Sequence, residues 1–97
     1  MEKLFYKGTI VKVKSITFDD IEPYDYMLVE SINNEYVFQF VCISGYSSGH
    51  VIGYIYYDKS PLCKGHIAVT ESHLINEVRR NLGEIDIDYF NILEKSN

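Results

Sequence analysis

The chain has 97 residues, 46% of them hydrophobic and 14% aromatic, a composition that is typical of one folded domain and argues against disorder. Fourteen Asp and Glu against nine Lys and Arg give a net charge of −5, which disfavours general nucleic-acid binding because that requires a basic surface. No apolar run approaches the roughly 20 residues of a membrane span, and residues 1–14 lack the apolar stretch of a signal peptide. Two cysteines are too few for a disulfide framework, so we expect residues 1–97 to form a single reduced, cytoplasmic domain.

Residues 4–16 are predicted to form one strand, or two short strands broken at Gly8. Positions 9, 11, 13 and 15 share one face of this segment, and Ile10, Lys12 and Lys14 share the other. The lysine face is expected to be half solvated. Because lysines on an edge strand oppose aggregation, they also suggest a strand at the edge of a sheet.

Residues 18–25 carry four carboxylates in seven positions and are predicted to form a loop, since Pro23 favours extended geometry at the residue before it. The carboxylates are Asp19, Asp20, Glu22 and Asp25, and Tyr24 lies among them. Tyrosine is enriched at protein interfaces because it offers a large rigid surface and a hydroxyl group. The cluster is therefore a candidate binding surface, and the alternative is a solvated surface loop.

The centre of the chain is predicted to be a run of antiparallel strands. A strand over 26–31 leads through a two-residue turn at Asn33 and Asn34 into a hairpin that pairs residues 36–43 with 50–57. Both faces of the 36–43 segment are apolar, which predicts a central strand covered on both sides. Gly53, inside the second strand, indicates a bulge or the close approach of a neighbour.

After a loop over 58–65 and a short strand over 66–69, the apolar period changes from two to 3.6. Thr70 is predicted to cap a helix over 71–82 that ends at Gly83, with Arg79 and Arg80 pointing outward. The final strand is predicted to place Ile85, Ile87 and Tyr89 inward. The parity shifts at Phe90 and Ile92, which suggests either a bulge or a strand that is buried on both faces. Its outward acids are Glu84, Asp86 and Asp88.

These elements predict an α+β fold, in which a small, strongly curved antiparallel or barrel-like sheet of five to six strands packs against one helix. The expected core consists of apolar side chains from the hairpin, the helix and the flanking strands: Val37, Phe38, Phe40, Val41, Ile52, Ile55, Ile67, Val69, Leu74, Ile75, Val78 and Ile87.

The sequence gives little support for a metal site, a phosphate-binding loop or a catalytic nucleophile. Cys42 and Cys63 are twenty-one positions apart, and the three histidines fall on different predicted elements, whereas zinc ligands come in closely spaced pairs. The glycine-rich segment 45–49 lacks the Gly-Lys-Ser/Thr of a phosphate-binding loop. We therefore expect no cofactor, no metal and no enzymatic activity.

One resemblance is carried by a series of short motifs in the C-terminal two thirds of the chain. The matching pieces are Tyr36-Val37-Phe38, Ser44-Gly45-Tyr46-Ser47-Ser48-Gly49, Pro61, Ile67-Ala68-Val69 and His73-Leu74-Ile75-Asn76. In this order they resemble the immunity protein forty-five family of bacterial polymorphic-toxin and contact-dependent growth inhibition systems. The resemblance implies a small protein that binds a cognate toxin domain and neutralises it.

Many toxins of such systems are nucleases, whose clefts are basic where they hold phosphates, so an acidic inhibitor is a suitable partner. The expected toxin-binding residues combine the acids with two tyrosines as anchors: Asp19, Asp20, Glu22, Tyr24, Asp25, Tyr46, Glu84, Asp86 and Asp88. The alternative function is a small β-barrel module that binds nucleic acid or protein. The aromatic strands suit that alternative, but the net charge opposes binding to nucleic acid.

Overall fold

The structure is a computed structural model that describes residues 3–45 and 48–93. In chain order its strands are β1 (Leu4–Phe5), β2 (Ile10–Ser15), β3 (Tyr24–Glu30), β4 (Tyr36–Cys42), β5 (Val51–Tyr56), β6 (Val69–Thr70) and β7 (Ile85–Leu93). The helix α1 (Glu71–Leu82) follows β6 directly, and a 3-10 turn (Pro61–Cys63) lies in the loop before β6. The fold is α+β, as the change of apolar period predicted.

Five strands form one antiparallel sheet in the order β5-β4-β3-β2-β7, and β1 pairs with β6 in a separate two-stranded sheet. The predicted hairpin is confirmed, because β4 pairs with β5. Phe40 lies opposite Gly53 and Val41 opposite Val51, so the ladder is bulged at Ile52. Strands β5 and β7 do not pair within residues 3–45 and 48–93, so the sheet is open and not a closed barrel.

Strand β2 lies inside the sheet, between β3 and β7, so the prediction of an edge strand was wrong. Its lysines have other roles. Lys12 Nζ lies 3.9 Å from Asp25 Oδ1 on β3, and Lys14 Nζ lies 4.9 Å from the centre of the Tyr89 ring on β7. The alternation along β2 itself is confirmed, because positions 9, 11, 13 and 15 are all buried.

The core fills the space between α1 and one face of the sheet. Leu74, Val78 and Leu82, four residues apart along one side of α1, are buried against this face. Of the expected core residues, seven are buried: Val37, Phe38, Phe40, Ile55, Val69, Leu74 and Val78. Val41, Ile52 and Ile75 are half-buried.

Two expected core residues are exposed, and both lie where the backbone is irregular. Ile67 is 69% exposed because β6 begins only at Val69, so residues 66–68 belong to the loop rather than to the predicted strand. Ile87 is 64% exposed, and Tyr89 is 49% exposed. Both lie in a part of β7 where the register against β2 shifts, so the simple alternation that predicted them inward does not hold.

The helix boundaries are confirmed at both ends. The Thr70 side chain accepts a hydrogen bond from the His73 N–H, and the Gly83 N–H donates to the Arg79 carbonyl at 2.7 Å. Gly83 has a φ of 73°, and a Cβ atom there would lie 2.3 Å from the hydroxyl oxygen of Thr17. Gly83 therefore ends α1 and brings the chain close to the segment that follows β2.

The other face of the sheet has no second layer within the described residues, since their one helix packs on the core face. Gln39 and Val41 are accordingly only half-buried, and the prediction that both faces of this strand are covered was wrong. The predicted turn at Asn33 and Asn34 is a longer connection, because β3 ends at Glu30 and β4 begins at Tyr36. The Asn33 side chain accepts the Glu35 N–H there at 2.9 Å.

Candidate functional site

A tight turn over residues 15–20 fixes the first part of the acidic segment. The Asp20 N–H donates to the Ser15 carbonyl at 3.0 Å, and Asp20 Oδ2 accepts the Ser15 N–H at 2.9 Å. The Ser15 hydroxyl accepts the Phe18 N–H and donates to the Leu82 carbonyl at 2.7 Å, which joins the turn to the end of α1. Asp19 adopts a left-handed φ of 55°, a conformation that Asp tolerates better than most residues. Phe18 and Asp20 are thus held by several hydrogen bonds.

This turn forms one rim of a cavity of about 310 Å³ between the end of α1 and the core face of the sheet. Asp20 is the charged residue of the lining, so the cavity is called here the Asp20 cavity, and the rest of its wall is mainly apolar. That wall consists of Phe18, Tyr24, Tyr26, Cys42, Ile52 and Leu82. Phe18 is 61% exposed, so an aromatic ring at the rim is open to solvent.

Two tyrosines of β3 form the aromatic part of the wall. The Tyr24 ring lies against Gly45, where an added Cβ atom would be 2.5 Å from the ring. The Tyr26 ring stacks on Phe40 with 4.7 Å between ring centres. Burial raises the pKa of Tyr26 well above its ordinary value, and the proximity of Cys42, Asp20 and Tyr24 raises it further. The surroundings of the Tyr26 hydroxyl therefore disfavour a negative charge.

The structure brings together acidic residues that are distant in sequence. The Ile16 N–H donates to the Glu84 carbonyl at 2.7 Å, and the Glu84 N–H donates to the Thr17 hydroxyl at 2.7 Å. Glu84 therefore lies beside the turn that carries Asp19 and Asp20. We name the group Asp19, Asp20, Glu22 and Glu84 the acidic end. Among the described residues, none of these four lies within 4.0 Å of a lysine or arginine nitrogen.

The remaining predicted site residues lie elsewhere. Tyr24 and Asp25 belong to β3 and not to a loop, and Asp25 faces Lys12 on the uncovered side of the sheet, so it is not part of the acidic end. Asp86 and Asp88 follow Glu84 in the irregular part of β7, where Asp86 Oδ1 accepts the Asp88 N–H at 3.1 Å. Tyr46 lies outside the described residues.

Sequence reasoning missed most of the cavity wall. Tyr26, Cys42 and Leu82 have the pattern of ordinary core residues, and nothing local marks them as lining a cavity. Phe18 did carry a signal, because it is an aromatic residue beside two carboxylates in a polar segment. Aromatic residues are enriched at protein interfaces, so Phe18 could have been included among the candidate binding residues on this ground.

A second cavity of about 370 Å³ lies near the start of β4, lined in part by Tyr6, Phe38 and Ile67. Its charged wall residues are Lys7 and Glu30, and Lys7 Nζ lies 3.8 Å from Glu30 Oε2. The charges around it are therefore balanced, whereas Asp20 in the wall of the Asp20 cavity has no lysine or arginine nitrogen within 4.0 Å among the described residues.

No group of three or more His, Cys, Asp or Glu within residues 3–45 and 48–93 could hold a metal ion. No helix in the same residues is long and apolar enough to cross a membrane. No family model, no curated protein and no solved structure matches the chain.

Proposed function

We propose that this protein is a cytoplasmic immunity protein, which binds a basic toxin domain and neutralises it by forming a complex, without chemistry of its own. The observation that supports this most directly is the pairing of the acidic end with the Asp20 cavity. Unpaired carboxylates increase the rate of encounter with a basic surface, and a cavity with aromatic walls provides a place for a buried contact. The sequence resemblance described above points to the same class of protein.

Binding would occlude the toxin at the place where it holds its own substrate. A nuclease needs a basic cleft for phosphates, and the acidic end offers carboxylates to the same basic groups. The hydrogen-bonded turn over 15–20 holds Asp19 and Asp20 in place before binding. Little conformational entropy would therefore be lost on association.

The test uses the polypeptide encoded immediately upstream of this chain. Its C-terminal domain should arrest growth when expressed alone, and co-expression of this chain should restore growth. The purified pair should form a complex on size-exclusion chromatography. Growth arrest that this chain does not relieve, with no complex formed, would contradict the proposal. Binding of the isolated chain to oligonucleotides with a steep salt dependence would favour the alternative nucleic-acid module.

A further inference from the structure

The Asp20 cavity is already formed in the chain on its own. The rim residues Phe18 and Asp20 belong to a turn that is hydrogen-bonded to itself and to the Leu82 carbonyl. On the other side, the Tyr24 ring rests directly on Gly45. A cavity held in this way needs no rearrangement to accept a ligand, which favours binding of a small group.

The chemistry of the wall suits a group that is both cationic and partly apolar. Asp20 uses Oδ2 to accept the Ser15 N–H, but a carboxylate has about four acceptor positions, so it can bind further donors. Tyr26, which is 5% exposed, contributes a second polar group to the same wall through its hydroxyl. Phe18 and Ile52 offer apolar surface beside these two polar groups.

We propose that the Asp20 cavity receives the side chain of one arginine of the partner protein, an inference that rests on the proposed function. The guanidinium group binds the Asp20 carboxylate and stacks on the aromatic wall, and the aliphatic stem packs against Ile52. Arginine suits this site better than lysine because its planar group is more weakly hydrated and stacks on aromatic rings. A second copy of this chain is a poor occupant, since two acidic ends would repel each other.

The test is a titration of the isotope-labelled full chain with N-acetyl-arginine methylamide, followed by amide chemical shifts. We expect the resonances of Phe18, Tyr24 and Ile52 to move, with a dissociation constant on the order of 1–10 mM for so few contacts. The neutral citrulline analogue has nearly the same shape, and it should bind at least about tenfold more weakly because it lacks the charge. Equal binding of the two compounds would overturn the proposal.

Two variants give a matched comparison. Asp20→Asn removes the charge but keeps an oxygen that can accept the Ser15 N–H, so the turn should be retained, which the Ser15 amide resonance checks. Glu35→Gln likewise removes one negative charge, at an exposed residue outside the cavity wall. We expect only Asp20→Asn to abolish the shifts caused by the arginine compound. Equal effects of both variants would overturn the proposal in favour of a general charge effect.

The two proposals fail in different ways. If Asp20→Asn binds the toxin domain as tightly as the unmodified chain and the arginine compound causes no shifts, the arginine site is wrong while the immunity function stands. If the arginine compound binds as expected and the upstream toxin domain does not bind, the arginine site stands and the immunity function is wrong.

Discussion

Glu77 Oε1 accepts a hydrogen bond from the backbone N–H of Tyr56 at 2.5 Å. Glu77 is buried on α1, and Tyr56 is the last residue of β5, an end strand of the sheet. The same carboxylate binds Arg80, with 2.9 Å between Oε2 and Nε, and this hydrogen bond raises the pKa of Arg80. A helix carboxylate thus satisfies a backbone donor that the sheet leaves unpaired.

Three further side chains of α1 bind the same edge. His73 Nε2 lies 2.8 Å from the Tyr56 carbonyl, which can only accept, so this nitrogen carries the proton. The Tyr54 carbonyl accepts from Arg80 Nη2 and from Asn81 Nδ2. Because His73, Glu77, Arg80 and Asn81 share one side of the helix, α1 covers the edge of β5 and protects it from pairing with another chain. Arg80 therefore lies across the edge, with its guanidinium 4.3 Å from the centre of the Tyr56 ring, and does not simply point outward as predicted.

The first prediction tests this edge contact. Glu77→Ala leaves the Tyr56 N–H and Arg80 without their shared acceptor, so it should lower the free energy of unfolding by about 2–3 kcal/mol. Glu77→Gln keeps an acceptor for the Tyr56 N–H and should lower the free energy of unfolding by less. Urea unfolding measures both, and Arg79→Ala, one position away from Arg80 and exposed, is the control. If Glu77→Ala lowers the free energy of unfolding by no more than Arg79→Ala does, the edge contact does not stabilise the fold.

The second prediction concerns the core. Phe40 is fully buried and stacks on Tyr26, so Phe40→Ala should lower the free energy of unfolding by about 3–5 kcal/mol. Phe18→Ala makes the same chemical change at a ring that is 61% exposed, and it should cost about 0.5 kcal/mol or less. Thermal unfolding of both variants is the measurement. Equal thermal midpoints for the two variants would show that Phe40 does not stabilise the fold as a core residue.

A third prediction follows from the loop before α1. Asp58 Oδ2 accepts from both the N–H and the hydroxyl of Thr70, and Oδ1 accepts the Ser60 N–H. Burial alone would raise the pKa of Asp58, but the hydrogen bonds from Thr70 and Ser60 outweigh it and hold the pKa at about 2, below the ordinary 3.8. A carboxyl with a lowered pKa stabilises the fold above its unfolded-state pKa, and this contribution is lost as the pH falls from about 4 to 2.

Because Asp58 is partly exposed, we discount the shift for solvent screening and expect a contribution of about 1 kcal/mol. Asp58→Asn should be less stable than the unmodified chain by this amount at pH 6, and the difference should shrink toward pH 2. Urea unfolding at several pH values measures it. Thr70→Ser keeps the hydroxyl donor and should keep the pH dependence. Parallel stability curves for Asp58→Asn and the unmodified chain would contradict the assignment to Asp58.

The fourth prediction tests the acidic end against the toxin domain. Asp19→Lys combined with Glu22→Lys replaces attraction by repulsion, so the association rate should fall by about tenfold or more at low salt and by less at high salt. Glu30→Lys with Glu35→Lys makes the same change in net charge at the connection between β3 and β4. Stopped-flow kinetics should show little effect of this second pair. Equal effects of the two pairs would show that only the net charge matters.

The last prediction concerns Tyr24 as a packed contact. Tyr24→Ala should raise the dissociation rate of the toxin complex about 30-fold, the equivalent of about 2 kcal/mol, with a smaller change in the association rate. Tyr24→Phe keeps the ring that lies on Gly45 and separates the role of the hydroxyl. Surface plasmon resonance measures the rates, and circular dichroism checks folding. A dissociation rate unchanged in Tyr24→Ala would exclude Tyr24 from the interface.

The sequence alone was sufficient for the elements whose signals are local. Thr70, the apolar stripe and Gly83 all lie within one segment, and together they place α1 almost to the residue. The hairpin of β4 and β5 was equally predictable, and so was the unusual character of Gly53. An added Cβ atom at Gly53 would lie 1.9 Å from Asn81 Oδ1, which is the close approach that its lack of a side chain suggested.

The tertiary structure decided how these elements are arranged. This arrangement determines which residues form the candidate site. The Asp20 cavity draws its wall from residues as far apart as Phe18 and Leu82, and no local pattern connects them. Asp25 was grouped with its neighbours in sequence, but strand pairing sets it against Lys12 instead. Glu84 joins Asp19 and Asp20 only because β7 pairs alongside β2. The apolar period of a segment indicates which side of that element faces the core. The position of a charge in space depends instead on which strands are neighbours in the sheet.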